Sequence, residues 1–171
     1  MPPSATTHRP LGLWALVAML LVIGVGGLAT GPQLIADPTG ARIGADQISL
    51  ARTPLEDWAL VGWFLIVVMG VIPLVIAWGL ATRHAWRLAE RIDPVRSEHW
   101  SWLAVQVMGG GLLAWLGLQL ALIDQKGGPQ PMFGVLGLAL LALPWLPSVR
   151  RDLATGQAAS RPSRISTLRS A

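Results

Sequence analysis

The chain has 171 residues, 53% of them hydrophobic and only 13% charged, with a mean hydropathy of +0.54, too apolar for a soluble domain with a wetted surface. It contains no cysteine, which excludes disulfides, thiolate metal sites and dithiol redox chemistry. The formal net charge of +4 comes from arginines beside apolar blocks, with Lys126 the one lysine; no recognition motif interleaves them, so the lipid bilayer, and not nucleic acid, is the expected partner.

The first apolar block runs from Leu11 to Gly31, after an arm carrying His8 and Arg9 and with Pro10 where a helix start tolerates it. It reads as span one. A signal peptide ending near Leu28-Ala29-Thr30 is the alternative, but the block is longer than an h-region of roughly 7–15 residues. Gly24, Gly27 and Gly31 form a small-residue stripe suited to a close helix crossing. No strand precedes these glycines and no lysine follows them, so they are not a phosphate loop.

Residues 32–57 form the longest polar connection, with a turn at Asp37-Pro38-Thr39-Gly40 and a weakly amphipathic run from Ile43 to Ala51. Thr53-Pro54-Leu55-Glu56 has the order of a capping box: threonine N-cap, proline at the first helical position, glutamate three residues after the cap. It predicts the start of helix two, which continues from Trp58 to Leu80 and should bend at Pro73.

From Ala81 to Ser101 the chain is charged, and helix two is expected to run on past the lipid until Asp93-Pro94 stops it. Asp93 or Ser97 can cap helix three, over Trp102 to Ile123, in which Gly109-Gly110-Gly111 offers a hinge or a break. A polar turn at 124–129 leads to a fourth span, Met132 to Val149, with Pro144 and Pro147 near its end. Its roughly 18 residues reach ~27 Å, just enough for a hydrocarbon core of ~30 Å.

The expected fold is therefore all-α: an integral membrane four-helix transmembrane bundle with no β-sheet. It occupies residues 1–153, with spans at about 11–31, 58–80, 102–123 and 132–149, and residues 154–171 form a disordered cytoplasmic tail. Ten of the thirteen basic residues lie in the arm, the middle connection and the tail; the other three are Arg42, Arg52 and Lys126, an asymmetry that predicts cytoplasmic termini. The arginine bias fits a GC-rich bacterial genome, hence a bacterial inner membrane. Trp58 would mark the outer interface, and Trp78, Trp86, Trp100, Trp102 and Trp145 the inner one.

Helix three carries the strongly polar side chains at depth, Gln106 and Gln119, each costly in lipid without a partner. Gln106, Gly110, Ala114, Gly117 and Ala121 fall on one small face, which makes this helix the expected centre of packing. Gln119 lies on another face, one turn after Trp115. The two amides read first as interhelical hydrogen-bond partners; Gln106, Trp115 and Gln119 are the candidates should there be a polar intramembrane site. No ionisable residue falls inside a span, which argues against ion-coupled transport. The acids Asp37, Asp46, Glu56, Asp57 and Asp124 lack calcium-loop spacing and have Arg42, Arg52 and Lys126 to pair with. His84 and His99 lie near Glu90 and Glu98, a set that could support acid–base work but reads better as solvated interface. No catalytic, cofactor-binding or metal residue emerges, and no cofactor is expected.

The Thr53-Pro54 start, the stretch VGWFLIVVMGVIPLVIAWGL, the ending Gln119-Leu120-Ala121-Leu122-Ile123 and PMFGVLGLALLALPWLPSVRRDL resemble small, uncharacterised four-span membrane proteins of bacteria, over residues 11–153. In shape alone the chain also resembles the DoxX-like four-helix proteins. The resemblance implies topology and no catalytic residue. The expected function is a non-enzymatic accessory subunit or small homo-oligomer, with a membrane-protein partner or self-association; the alternative is a passive pore or small-molecule carrier.

Overall fold

A computed structural model describes residues 9–45, 47–82, 100–122 and 128–151. The expectations for the arm before Arg9, the charged connection with Asp93-Pro94, His84 and His99, most of the 124–129 turn, and the tail lie outside these residues. Every regular element among the described residues is helical. Three helices are long and apolar enough to cross a membrane: α1 over Leu11–Ala36, α2 over Ala59–Thr82 and α3 over Trp100–Leu122. A shorter one, α4, runs over Gln130–Ala142 and tightens into a 3₁₀ turn at Leu143–Trp145.

α1 outruns the expected end at Gly31 by five residues, through Pro32, and stops where Asp37 leaves helical geometry. α2 begins later than the Thr53 box predicts. Thr53 Oγ1 accepts from the Leu55 N–H (3.2 Å) and donates to the Leu50 carbonyl (2.9 Å), so this threonine closes a turn. The helix starts at Ala59, whose N–H donates to Asp57 Oδ1 (2.9 Å).

In the middle of α2, Leu65–Val71 is π-helical, two residues short of Pro73. Proline has no N–H for the Met69 carbonyl and crowds the preceding turn, and widening that turn accommodates both defects. The disturbance expected at Pro73 thus takes the form of a π segment. α3 is continuous through Gly109-Gly110-Gly111, so the three glycines form neither a hinge nor a break. The fourth apolar run does break: Leu146 is extended (ψ 130°) before Pro147, as a residue preceding proline prefers. α4 with its 3₁₀ turn therefore ends at Trp145, and the chain is helical again over 147–151.

Backbone contact organises the packing of α1 on α2. A Cβ added at Gly27 would lie 2.6 Å from the Leu65 carbonyl oxygen and from the Met69 carbonyl carbon. One at Gly31 would lie 2.7 Å from the Gly62 carbonyl oxygen, and Gly62 and Gly70 return the fit against α1. Near Arg9, α1 also meets the ends of α2 and α4: Arg9 donates to the Ala81 carbonyl, and Gly12 fits against Val149. The central element is α1, not the third helix.

α3 packs on α4 through Gly109, where an added Cβ would lie 3.0 Å from Leu140 Cβ and 3.1 Å from the Gly137 carbonyl oxygen. The small face expected to pack is open instead: a Cβ at Gly110 or Gly117 would meet nothing within 4 Å, and Ala114 and Ala121 are exposed. Gln106 alone of that set reaches a neighbour.

A main core of Leu13, Leu16, Leu20, Ile76, Val105 and Leu140, with others, runs through the half nearer the described ends of the chain. A second, smaller core of Leu34, Ala45, Leu50, Trp58 and Val61 lies beneath the 37–58 connection. That connection is folded back tightly. Asp37 accepts from the Thr39 hydroxyl (2.6 Å) and from the Arg42 N–H (3.1 Å), and the Trp58 N–H donates to the Pro38 carbonyl. The Thr39 hydroxyl bond, helped by the Arg42 and Thr39 amides, holds the Asp37 carboxyl below its usual value. Asp37 engages the Arg42 backbone, and the Arg42 charge also favours its ionised form. Gly40 (φ +80°) makes room for the Trp58 indole, which a Cβ would strike at 2.8 Å.

Candidate functional site

A cavity of about 610 Å³ opens between the four helices in the half that carries the 37–58 connection, a size typical of small-molecule sites at roughly 300–1,000 Å³. α1 supplies Ile23, Gly26, Gly27, Thr30 and Leu34, one face at helical spacing. α2 and the residue before it supply Trp58, Val61, Leu65 and Met69, the last two from the π segment. Leu112, Trp115, Leu116 and Gln119 enter from α3, and Gln130 and Phe133 from α4. Ile43 and Ala45 close it from the connection.

Local sequence explains the space. Gly26 leaves a gap in the α1 face, since a Cβ there would touch nothing within 4 Å. The π segment in α2 sets Leu65 and Met69 differently from an α-helical register. On α3, Trp115 is held by Phe64 of α2, ring centroids 4.3 Å apart and tilted by 32°, a geometry of favourable aromatic contact.

The three residues singled out from sequence separate here. Trp115 and Gln119 line the cavity; Gln106 does not. The Gln106 amide donates to the Leu141 carbonyl (3.1 Å), whose usual i+4 donor, the Trp145 N–H, belongs to the 3₁₀ turn. Its position is that of an interhelical tie. Gln119 makes no hydrogen bond among the described residues.

Trp58 is 3% exposed, on the cavity wall, and its indole Nε1 has no hydrogen-bond acceptor. Sequence reasoning missed Trp58, Thr30 and Gly26. Thr30 lies one turn after Gly26 on the glycine-rich face, which was read for packing alone.

Among the described residues no Asp, Glu, Lys, Arg or His lines the cavity, and no group of three metal-ligating side chains occurs. At the opposite end, arginines meet aromatic rings: Arg9 lies 5.9 Å from the Trp14 ring centre, and Arg150 lies 5.8 Å from that of Trp145. Trp145 also meets Trp102 edge-on, centroids 5.2 Å apart. Trp78 and Trp145 are half exposed there, while Trp100 is buried against Gly79.

Comparison with protein families, with curated proteins and with solved structures finds no match, so the likeness to four-span bacterial membrane proteins rests on the segments quoted above.

Proposed function

We propose that the chain is a non-enzymatic multi-pass membrane protein that holds or carries a small molecule inside a four-helix transmembrane bundle. The observation that supports this is the cavity. It joins a rigid aromatic wall, an apolar floor and a few polar groups, the usual composition of a small-molecule site. α4 completes the bundle as its short member, and the arginine asymmetry orients it with both termini in the cytoplasm, in a bacterial inner membrane. The cavity then lies in the outer half.

Gly26 gives the test, because a larger side chain at that position enters open space without striking backbone. In native mass spectrometry from mild detergent, the wild-type protein should retain a bound small molecule in a one-to-one complex. The Gly26→Phe variant should fold normally and lose it. Identical spectra for the two proteins would overturn the proposal. The accessory-subunit or homo-oligomer reading has one observation in its favour, the open small face of α3 at Gly110, Ala114, Gly117 and Ala121.

A further inference from the structure

Several polar side chains away from the cavity satisfy themselves on backbone, while the Trp102 indole Nε1 there is also buried without a partner. Gln33 donates to the Ala29 carbonyl one turn back, Thr82 to the Trp78 carbonyl, and Gln106 to the Leu141 carbonyl. On the cavity wall, three polar side chains make no such bond. The Trp58 indole Nε1 is buried without an acceptor, and neither the Thr30 hydroxyl nor the Gln119 amide forms a hydrogen bond among the described residues. A buried donor without a partner is costly, and a ligand bringing an acceptor would recover that cost.

These polar groups share one level. Thr30 is near the end of α1, Trp58 immediately precedes α2 and Gln119 is near the end of α3, all beside the 37–58 connection. The apolar wall lies deeper. At ~1.5 Å per residue, Ile23 and Leu112 lie ~10 Å from Thr30 and Gln119 along their helices, and Met69 ~16 Å from Trp58. The cavity is therefore polar at its rim and apolar at its floor.

We infer that the cavity takes an uncharged amphiphile, lying with its apolar body among Ile23, Met69 and Leu112 and with a hydrogen-bond-accepting head, such as a carbonyl, toward Trp58, Thr30 and Gln119. This rests on the cavity being a ligand site. The described wall disfavours charge: none of its side chains is ionisable, and an unpaired ion in such surroundings is costly. The Thr30 hydroxyl and the Gln119 amide can each donate or accept, so they can complete a carbonyl's second hydrogen bond or answer a hydroxyl.

The test uses the full chain in lipid nanodiscs and four anthracene probes on a common short alkyl chain, ending in a methyl ketone, a carboxylate, a quaternary ammonium or a methyl group. Energy transfer from tryptophan to anthracene reads binding, with the Gly26→Phe protein as the background for partition into lipid. The ketone is expected to bind about tenfold tighter than either charged probe and roughly fivefold tighter than the hydrocarbon. Trp58→Phe should remove the ketone's advantage while leaving hydrocarbon affinity unchanged. Should that variant fold poorly, Gln119→Leu makes the same comparison. A charged probe binding as tightly as the ketone, or a ketone advantage that survives both substitutions, overturns the inference. If no probe binds above the Gly26→Phe background, the ligand-site reading itself falls.

Discussion

α1 and α2 meet backbone to backbone, whereas α3 and α4 meet mainly through side chains, though both pairs offer glycines at helical spacing. The difference lies in the partner. Gly24, Gly27 and Gly31 of α1 find Gly62 and Gly70 at matching heights on α2, and the π segment widens the groove between those two. On α3, Gly110, Ala114, Gly117 and Ala121 are an equally good small face, but α4 offers Gly137 opposite Gly109, one residue around the helix. A small-residue stripe permits a close approach; a complementary groove decides whether it happens.

The comparison can be broken most sharply at Gly27. An alanine methyl there collides with the carbonyl groups of Leu65 and Met69, which cannot swing aside like a side chain. Gly27→Ala should destabilise by about 3 kcal/mol, the upper part of the overpacking range, measured by reversible unfolding in mixed micelles. A loss below that of Gly24→Ala, where the obstacle is mainly the Leu74 side chain, would mean that the α1–α2 contact is looser than described.

A smaller effect belongs to the α3–α4 tie. Gln106→Leu removes one hydrogen bond to Leu141, and such bonds in membranes average ~0.6 kcal/mol. Loss of the whole fold would give Gln106 a larger part than a single tie. The smallest effect is expected on the open face. Gly117→Leu should leave monomer stability within about 0.5 kcal/mol, as at surface positions away from contacts. A large loss, or a change in oligomeric mass without one, would locate a packing partner on this face and favour self-association.

Much of this organisation was legible locally. The turn at Asp37-Pro38-Thr39-Gly40, the α1 glycine stripe and the disturbance before Pro73 each depend on residues within a few positions of one another. Trp115 and Gln119 stood out because an aromatic ring and an amide one turn apart are unusual in an apolar run. The Thr53-Pro54-Leu55-Glu56 box misled because its threonine satisfies a nearby carbonyl, leaving helix initiation to Asp57 and Ala59. Trp58 was read only as an interface marker, and a tryptophan at a span's end is as well placed to line a cavity.

By itself the sequence determined that this protein is helical with apolar blocks, three of the four expected spans forming helices apolar and long enough for a membrane, since block length and charge placement are properties of the chain alone. Only the tertiary structure decided which small face is used, that Gln106 is a tie while Gln119 faces a cavity, and that Thr30, Trp58 and Gln119 converge. The physical reason is that each depends on the height and rotation at which two distant helices meet, and periodicity within one helix carries no information about the groove it will encounter.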